Sequence, residues 1–305
     1  MPPQPASTSG PSDTTGLQDI FAVQDEITAN VVASIEPHLY AEESIRSLNR
    51  PPDSLDAWGL VVRALGLINR IGRQENDQAQ VLLHRAIEIE PGYAKAHAML
   101  GWAVWWSAHC YWWPDTREGY RQAERHAETA VFLDPAETWG RMILGLSLSQ
   151  AGHHERAMVE LRVSLDINPN FALGRAVLGW ALLRAGQFDA AIAETSKPLR
   201  MSPVDSFAGI YTSIHGLALL GARRFSEALP FLRSSVAAFK AYTGHYNSLI
   251  SCCGHLGLIE EARYFIDARN RLGPPICVSV LRRNLGAFAH CDVFIDGLLR
   301  AGVPE

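Results

Sequence analysis

Apolar residues along this chain recur at three- and four-residue spacings in short blocks, and several blocks end in a proline. The phrases RAIEIEP (Arg85 to Pro91), TAVFLDP (Thr129 to Pro135), VSLDINP (Val163 to Pro169) and PLRMSP (Pro198 to Pro203) each close an amphipathic stretch. From Pro135 to Pro169 is 34 positions, and from Pro169 to Pro203 is 34 again. Small residues sit where two antiparallel helices would touch. Leu144, Gly145, Gly152 and Ala157 in one period are answered by Leu178, Gly179, Gly186 and Ala191 in the next. Gly145 and Ala157 allow close approach of backbones, Gly152 supplies a left-handed helix end, and the proline stops the second helix.

This spacing and punctuation resemble the tetratricopeptide repeat (TPR), whose period is 34 residues. The resemblance implies an all-α fold, a right-handed solenoid of antiparallel helix pairs over residues 53–275. Looser copies extend it upstream, through Trp58, Ala79, Leu83, Ala86 and Pro91, with a longer turn expected around Ile71 to Gln74. Leu100, Gly101, Ala123, Ala130 and Pro135 form a second unit stretched to 44 positions after Pro91. Downstream, Gly216, Ala228 and Leu232 mark a fifth unit, and Leu249, Gly257, Ala262 and Pro274 a sixth. About six repeats result, and residues 276–305 are expected to form capping helices that cover the last of them.

Residues 17–50 differ. Phe21, Val23, Ile27, Val31, Val32 and Ile35 recur at helical spacing without repeat punctuation, which predicts an amphipathic helix or helix pair. Residues 1–16 read as a disordered tail with neither a basic nor an apolar signal region. Pro51 and Pro52 mark the boundary ahead of the repeats.

Two flanking phrases narrow the resemblance. DIFAVQDEITANVVASIEP and FIDGLLRAGVPE are similar to the ends of the TPR region in bacterial class III adenylate/guanylate cyclases and in some winged-helix transcriptional regulators. There the first phrase closes a TolB-like linker domain. The resemblance implies a regulatory or sensory half. It carries over no catalytic residue, because the aspartates, purine-selecting residues and Asn/Arg pair of a cyclase domain have no counterpart here. Expected is a scaffold without enzyme activity.

Composition supports a folded chain, with 48% apolar residues. A net charge of -5 lacks the basic excess that phosphate-neutralising surfaces need, so neither nucleic acid nor an anionic membrane is the expected partner. The five cysteines form no CxxC pair, which fits a reduced, cytoplasmic compartment. The longest apolar stretch, Ala208 to Ala222, is interrupted by Thr212, Ser213 and His215 and is too short to span a membrane.

Five of the eight tryptophans lie in GWAVWWSAHCYWWPD, Gly101 to Asp115: Trp102, Trp105, Trp106, Trp112 and Trp113. This aromatic insert reads either as a ledge for a peptide or as a longer helix pair filling its own gap. Positions fixed relative to the Leu-Gly pair place Trp102, Leu146 and Trp180, with Met142 and Arg184 nearby, on the concave face. Carboxylate clamps use Lys, Asn and Arg there. The apolar character here points instead to an apolar or amphipathic protein segment, the chain's own N-terminal helix being one candidate. His109-Cys110 and His153-His154 supply too few ligands for zinc, and no phosphate loop, nucleophile elbow or HExxH pair is present. No metal and no cofactor are expected.

Overall fold

The computed structural model describes residues 56–70, 72–113, 115–201, 206–285 and 288–305. The expected tail and the amphipathic segment 17–50 lie outside these residues. Among the described residues there are fourteen helices and no strand. Twelve of them form six antiparallel pairs: α1 (Ala57–Ile68) with α2 (Arg73–Ile89), α3 (Ala94–His109) with α4 (Thr116–Leu133), α5 (Thr138–Gln150) with α6 (His154–Ile167), α7 (Ala172–Arg184) with α8 (Phe188–Met201), α9 (Ala208–Gly221) with α10 (Phe225–Ala238), and α11 (Thr243–Leu256) with α12 (Ile259–Asn270). Two further helices follow, α13 (Val278–Leu285) and α14 (Cys291–Arg300).

Burial separates the members of each pair. Helix α2 buries only Asn76, Ala79, Leu83 and Ala86, and α4 only Gly119, Ala123, Ala127 and Ala130. Both sets recur at three and four residues, the single stripe of an outer helix. Helix α3 is buried almost all round, from Ala94 to Ala108. Such a helix must be enclosed on every side. Contacts agree: α3, α5, α7 and α9 touch one another in sequence as an inner layer, and the outer helix of each of the first five pairs packs on the inner helix of its own pair and of the next.

The turns within pairs follow the glycine pattern. Gly152 and Gly186 adopt φ of +87° and +79°, and the next residue's N–H reaches back, His153 to the Leu148 carbonyl and Gln187 to that of Leu182, each at 2.9 Å. These bonds satisfy carbonyls that the helix end leaves unpaired. Arg223 makes the same turn with φ +62° and no glycine, and Tyr111 does so at +58° within the aromatic insert. In the first pair α1 ends at Ile68 and α2 begins at Arg73, so Gln74 belongs to α2 rather than to a turn. The insert lengthens its own helices: α3 has 16 residues and α4 has 18, where α5 and α6 have 13 and 14.

Helix α14 turns inward from the end of the array. It packs on α11 and reaches α9, on the inner side of the solenoid. A Cβ at Gly254 on α11 would collide with the Gly297 carbonyl and stand 2.8 Å from the Ala301 nitrogen. Glycine is required on both sides of this crossing. The Ser251 hydroxyl donates to the Phe294 carbonyl at 2.8 Å, and His255 Nε2–H donates to the Val293 carbonyl at 2.7 Å. The chain's last turn is pinned to α13 by the Val278 N–H donating to the Pro304 carbonyl at 2.9 Å.

Candidate functional site

Because α14 and the segment before it fold back against the inner layer, the concave face becomes the wall of a cavity of about 1310 Å³. Helices α3, α5, α7 and α9 contribute one side. The turn at 239–244, the segment 272–277 and helices α13 and α14 contribute the other.

The insert supplies the aromatic wall. Trp102, Trp105 and Trp106 are buried at 3%, 3% and 7% exposure and all three face the cavity. Trp102 stacks near Trp106 with centroids 5.8 Å apart, and Trp105 stacks on His109 at 4.5 Å. The indoles fill the gap between the long helices, and the same rings line a cavity. Trp112 also lines it. Trp113 lies outside the lining; it rests on the start of α4, where a Cβ at Gly119 would stand 3.2 Å from its ring.

Leu146 and Trp180 line the cavity as expected from the repeat register. Met142 does not. It is fully buried and absent from the cavity wall. Four residues separate it from Leu146, about 40° of rotation on an α-helix, and on an inner helix enclosed by neighbours that angle turns a side chain from the open stripe into the packing. A correction follows for access as well. Trp102 and Leu146 are 3% and 2% exposed, so they wall an interior rather than form an open groove.

Arg184 occupies the centre of this arrangement. It is 1% exposed. Its guanidinium stacks 3.4 Å over the Phe288 ring and 5.3 Å from Trp180. Nη1 donates to Gln150 Oε1 at 2.7 Å, while Nε and Nη2 have no hydrogen-bond partner. Burial lowers its pKa to about 9, which still leaves it charged at neutral pH. None of the ion pairs among the described residues includes it. Gln150 and Arg184 lie 34 positions apart and so stand at the same position of consecutive repeats. The Ala289 N–H donates to the Arg184 carbonyl at 3.2 Å, which joins the C-terminal segment to the inner layer here.

Three histidines surround the cavity, and burial keeps them neutral. His109 and His290 are each pushed down to about 3, by burial first and then by the Arg184 charge. His245 falls to about 4, again through burial. His109 Nε2 is hydrogen-bonded to the Tyr242 hydroxyl at 2.6 Å, tying the second pair to the turn before the sixth. Tyr120, Tyr242, His245, Phe288 and His290 were not among the residues singled out by periodicity. They come from different repeats and from the C-terminal segment, and only the closing of the solenoid brings them together. One signal was readable: Gln150 and Arg184 are polar where an inner helix should be apolar.

Charge is distributed unevenly as well. Arg70, Arg117, Arg121, Lys240 and Arg283 line the cavity from exposed positions, whereas Glu124 is the one carboxylate among the lining residues. The net charge of -5 conceals this local excess of cations. Among the described residues no group of three or more His, Cys, Asp or Glu could hold a metal ion. None of the five cysteines is in a disulfide, and Cys252 and Cys253 are buried with thiols pushed up to about 12, again by burial. No helix among the described residues is long and apolar enough to cross a membrane.

No family model matches the chain. A protein of Rhizobium meliloti (strain 1021) with the name "Putative adenylate cyclase 3" is 36% identical over 134 residues, which is 44% of this chain and 23% of that protein. The match therefore spans less than a quarter of that relative. Among solved structures, the human IFIT1 dimer with m7Gppp-AAAA superposes with a TM-score of 0.60 at 14% identity, covering 73% of this chain and 50% of IFIT1. A chain of the APC/C hetero-tetramer Cut9–Hcn1 gives 0.59 at 15% identity over 87% of this chain and 46% of that one. TTC0263, a thermophilic TPR protein of Thermus thermophilus, gives 0.50 at 18% identity over 64% and 98%. The chain has the all-α fold of a tetratricopeptide-repeat solenoid.

Proposed function

We propose that this chain is a non-catalytic scaffold that holds a protein partner in the cytoplasm, through an apolar or amphipathic segment of that partner. The observation that carries the reading is a row on the outer layer. Ile89, Leu133 and Ile167 occupy the same position in three consecutive repeats, two residues before each closing proline, and are 47%, 37% and 43% exposed. Phe132 beside them is 85% exposed. A periodic apolar row on solvent-facing helices, with Val81 and Val159 exposed on two of the same helices, is the kind of surface a partner helix covers. It takes over the role that the sequence assigned to the concave face, where α13 and α14 now stand.

Affinity capture from the native host, comparing wild type with Leu133→Glu/Ile167→Glu, tests the reading. At least one partner recovered by wild type and by a Trp180→Phe control is expected to be lost from the double variant. Equal recovery by all three proteins overturns the outer-row assignment.

A second reading is favoured by the 134-residue likeness to the cyclase-named relative. In it the chain is the regulatory or sensory half of a nucleotide cyclase, or of a winged-helix regulator, and its partner is the catalytic or DNA-binding module. Mixing the chain with such a module tests for direct association. Cyclase turnover by the purified chain alone, with ATP or GTP and Mn²⁺, would contradict the non-catalytic part of both readings.

A further inference from the structure

We propose that the interior cavity is a binding site for a small organic anion carrying an aromatic ring, its carboxylate or phosphate received by Arg184 and its ring by the tryptophan wall. The inference is independent of the outer-row scaffold reading.

The donors come first. Trp105 Nε1, Trp106 Nε1, Trp180 Nε1, Ser147 Oγ and Arg184 Nε and Nη2 are all buried without a hydrogen-bond partner in the protein. All five residues line the same cavity. A buried donor left unmade costs about 1–3 kcal/mol, so a cluster on one wall is expensive unless an acceptor arrives. His290 Nδ1 is unpartnered on the same lining and, in a neutral ring, can donate or accept; of the groups above, all except the Ser147 hydroxyl can only donate. The complement of such a wall is an acceptor-rich group.

Charge then selects among acceptors. Arg184 is a buried cation with no carboxylate partner, and its one side-chain hydrogen bond goes to a neutral amide. A neutral acceptor would satisfy the indoles and leave that charge unmatched. An anion satisfies both, and a carboxylate or phosphate can take two parallel N–H bonds from the free Nε and Nη2 edge. Arg121 is paired with Glu118 at 2.7 Å, and the other exposed cations of the lining, Arg70, Arg117, Lys240 and Arg283, set against Glu124, favour the approach of an anion.

The aromatic part follows from the flanks of the guanidinium. Phe288 covers one face, Trp180 stands 5.3 Å away, and Trp105 and Trp106 lie near His109. A flat ring inserted beside these indoles gains stacking contact that an aliphatic chain would not. The cavity volume of about 1310 Å³ exceeds what such a molecule needs, and small-molecule sites of roughly 300–1,000 Å³ are the common range.

Isothermal calorimetry and thermal unfolding of the full chain test the proposal with two pairs of probes. Indole-3-acetate is set against indole-3-acetamide, and adenosine monophosphate against adenosine, so that the carboxylate and phosphate sources are read separately. At least one anion is expected to bind about tenfold or more tightly than its neutral counterpart and to raise the Tm. In Arg184→Met that preference disappears while the Tm without ligand stays level or rises, since an uncompensated buried charge has been removed. Trp180→Phe, which keeps a ring and deletes one donor, is expected to weaken the anion several-fold and fold normally. Binding of neither anion, equal binding of anion and neutral counterpart, or an anion preference that survives in Arg184→Met and Trp180→Phe each overturns it.

Discussion

Helix α14 and the residues just before it meet the solenoid in two places that are built in opposite ways. Against α11, the backbones approach through Gly254 and Gly297, and Ser251 and His255 each spend their hydrogen bond on a carbonyl of α14. Against α7, Phe288 covers Arg184 and the Ala289 N–H takes its carbonyl, but the guanidinium edge and the neighbouring indoles stay unpaired. The first contact is complete in itself. The second leaves unpaired donors and a charge on residues that line a cavity, where a fold selected for stability alone would place apolar side chains. The difference separates what holds the C-terminal segment in place from what that segment is held in place to form.

The largest expected effect comes from breaking the complete contact. In Gly254→Leu the new side chain meets the Gly297 backbone, which has no flexible end that can give way. A loss of about 3 kcal/mol, the upper part of the overpacking range, is expected in urea unfolding, together with loss of anion binding. The first four helix pairs pack on their neighbours and not on α14, so most of the helical content should remain. A Gly254→Leu protein that keeps full stability and the cavity would show that the glycine crossing does not anchor the C-terminal segment.

The second effect is a pH dependence belonging to the incomplete contact. His109 and His290 have folded pKa values near 3, well below the unfolded value near 6.5. A base with a depressed folded pKa binds more protons when unfolded, so the stability it contributes is present above pH 6.5 and is lost as pH falls toward 3. Each such histidine steepens the acid side by up to about 1.4 kcal/mol per pH unit. His290→Phe keeps a ring beside Phe288 and is expected to flatten the fall in stability between pH 6.5 and 4. Parallel wild-type and variant curves over that window would mean that His290 is not buried in its neutral form.

The contrast also explains what sequence could tell. Repeat boundaries were legible because each depends on one residue with a local job: Gly152 and Gly186 at left-handed turns, Pro135 and Pro169 after helix ends, Ala123 and Ala157 at close contacts. Register then placed Trp102, Leu146, Trp180 and Arg184 on one wall. Met142 shows the limit, because one helical turn of spacing leaves a rotation large enough to exchange a cavity for a core. The far wall was illegible for a different reason. Residues 276–305 announce helices with an apolar face, and that face is satisfied equally well on the end of the array or inside it. The inward path depends on Gly254 meeting Gly297 and on Asn284 meeting Tyr111, which are contacts across 43 and 173 positions with no periodic trace.

The smallest expected effect separates closing the cavity from stabilising the fold. Asn284 on α13 donates from Nδ2 to the Tyr111 hydroxyl at 3.0 Å, and both side chains are exposed at the cavity lining. An exposed hydrogen bond of this kind exchanges readily with water, so Asn284→Ala should change unfolding free energy by no more than about 0.5 kcal/mol. The link nevertheless bridges the insert and the C-terminal segment, the two parts between which a ligand would pass. Cutting it is expected to raise the release rate of a bound aromatic anion several-fold in stopped-flow tryptophan fluorescence, with the Tm without ligand unchanged. An unaltered release rate would mean that ligand does not pass between α13 and the insert, whereas a large drop in Tm would mean that this contact belongs with the glycine crossing as part of what holds the segment down.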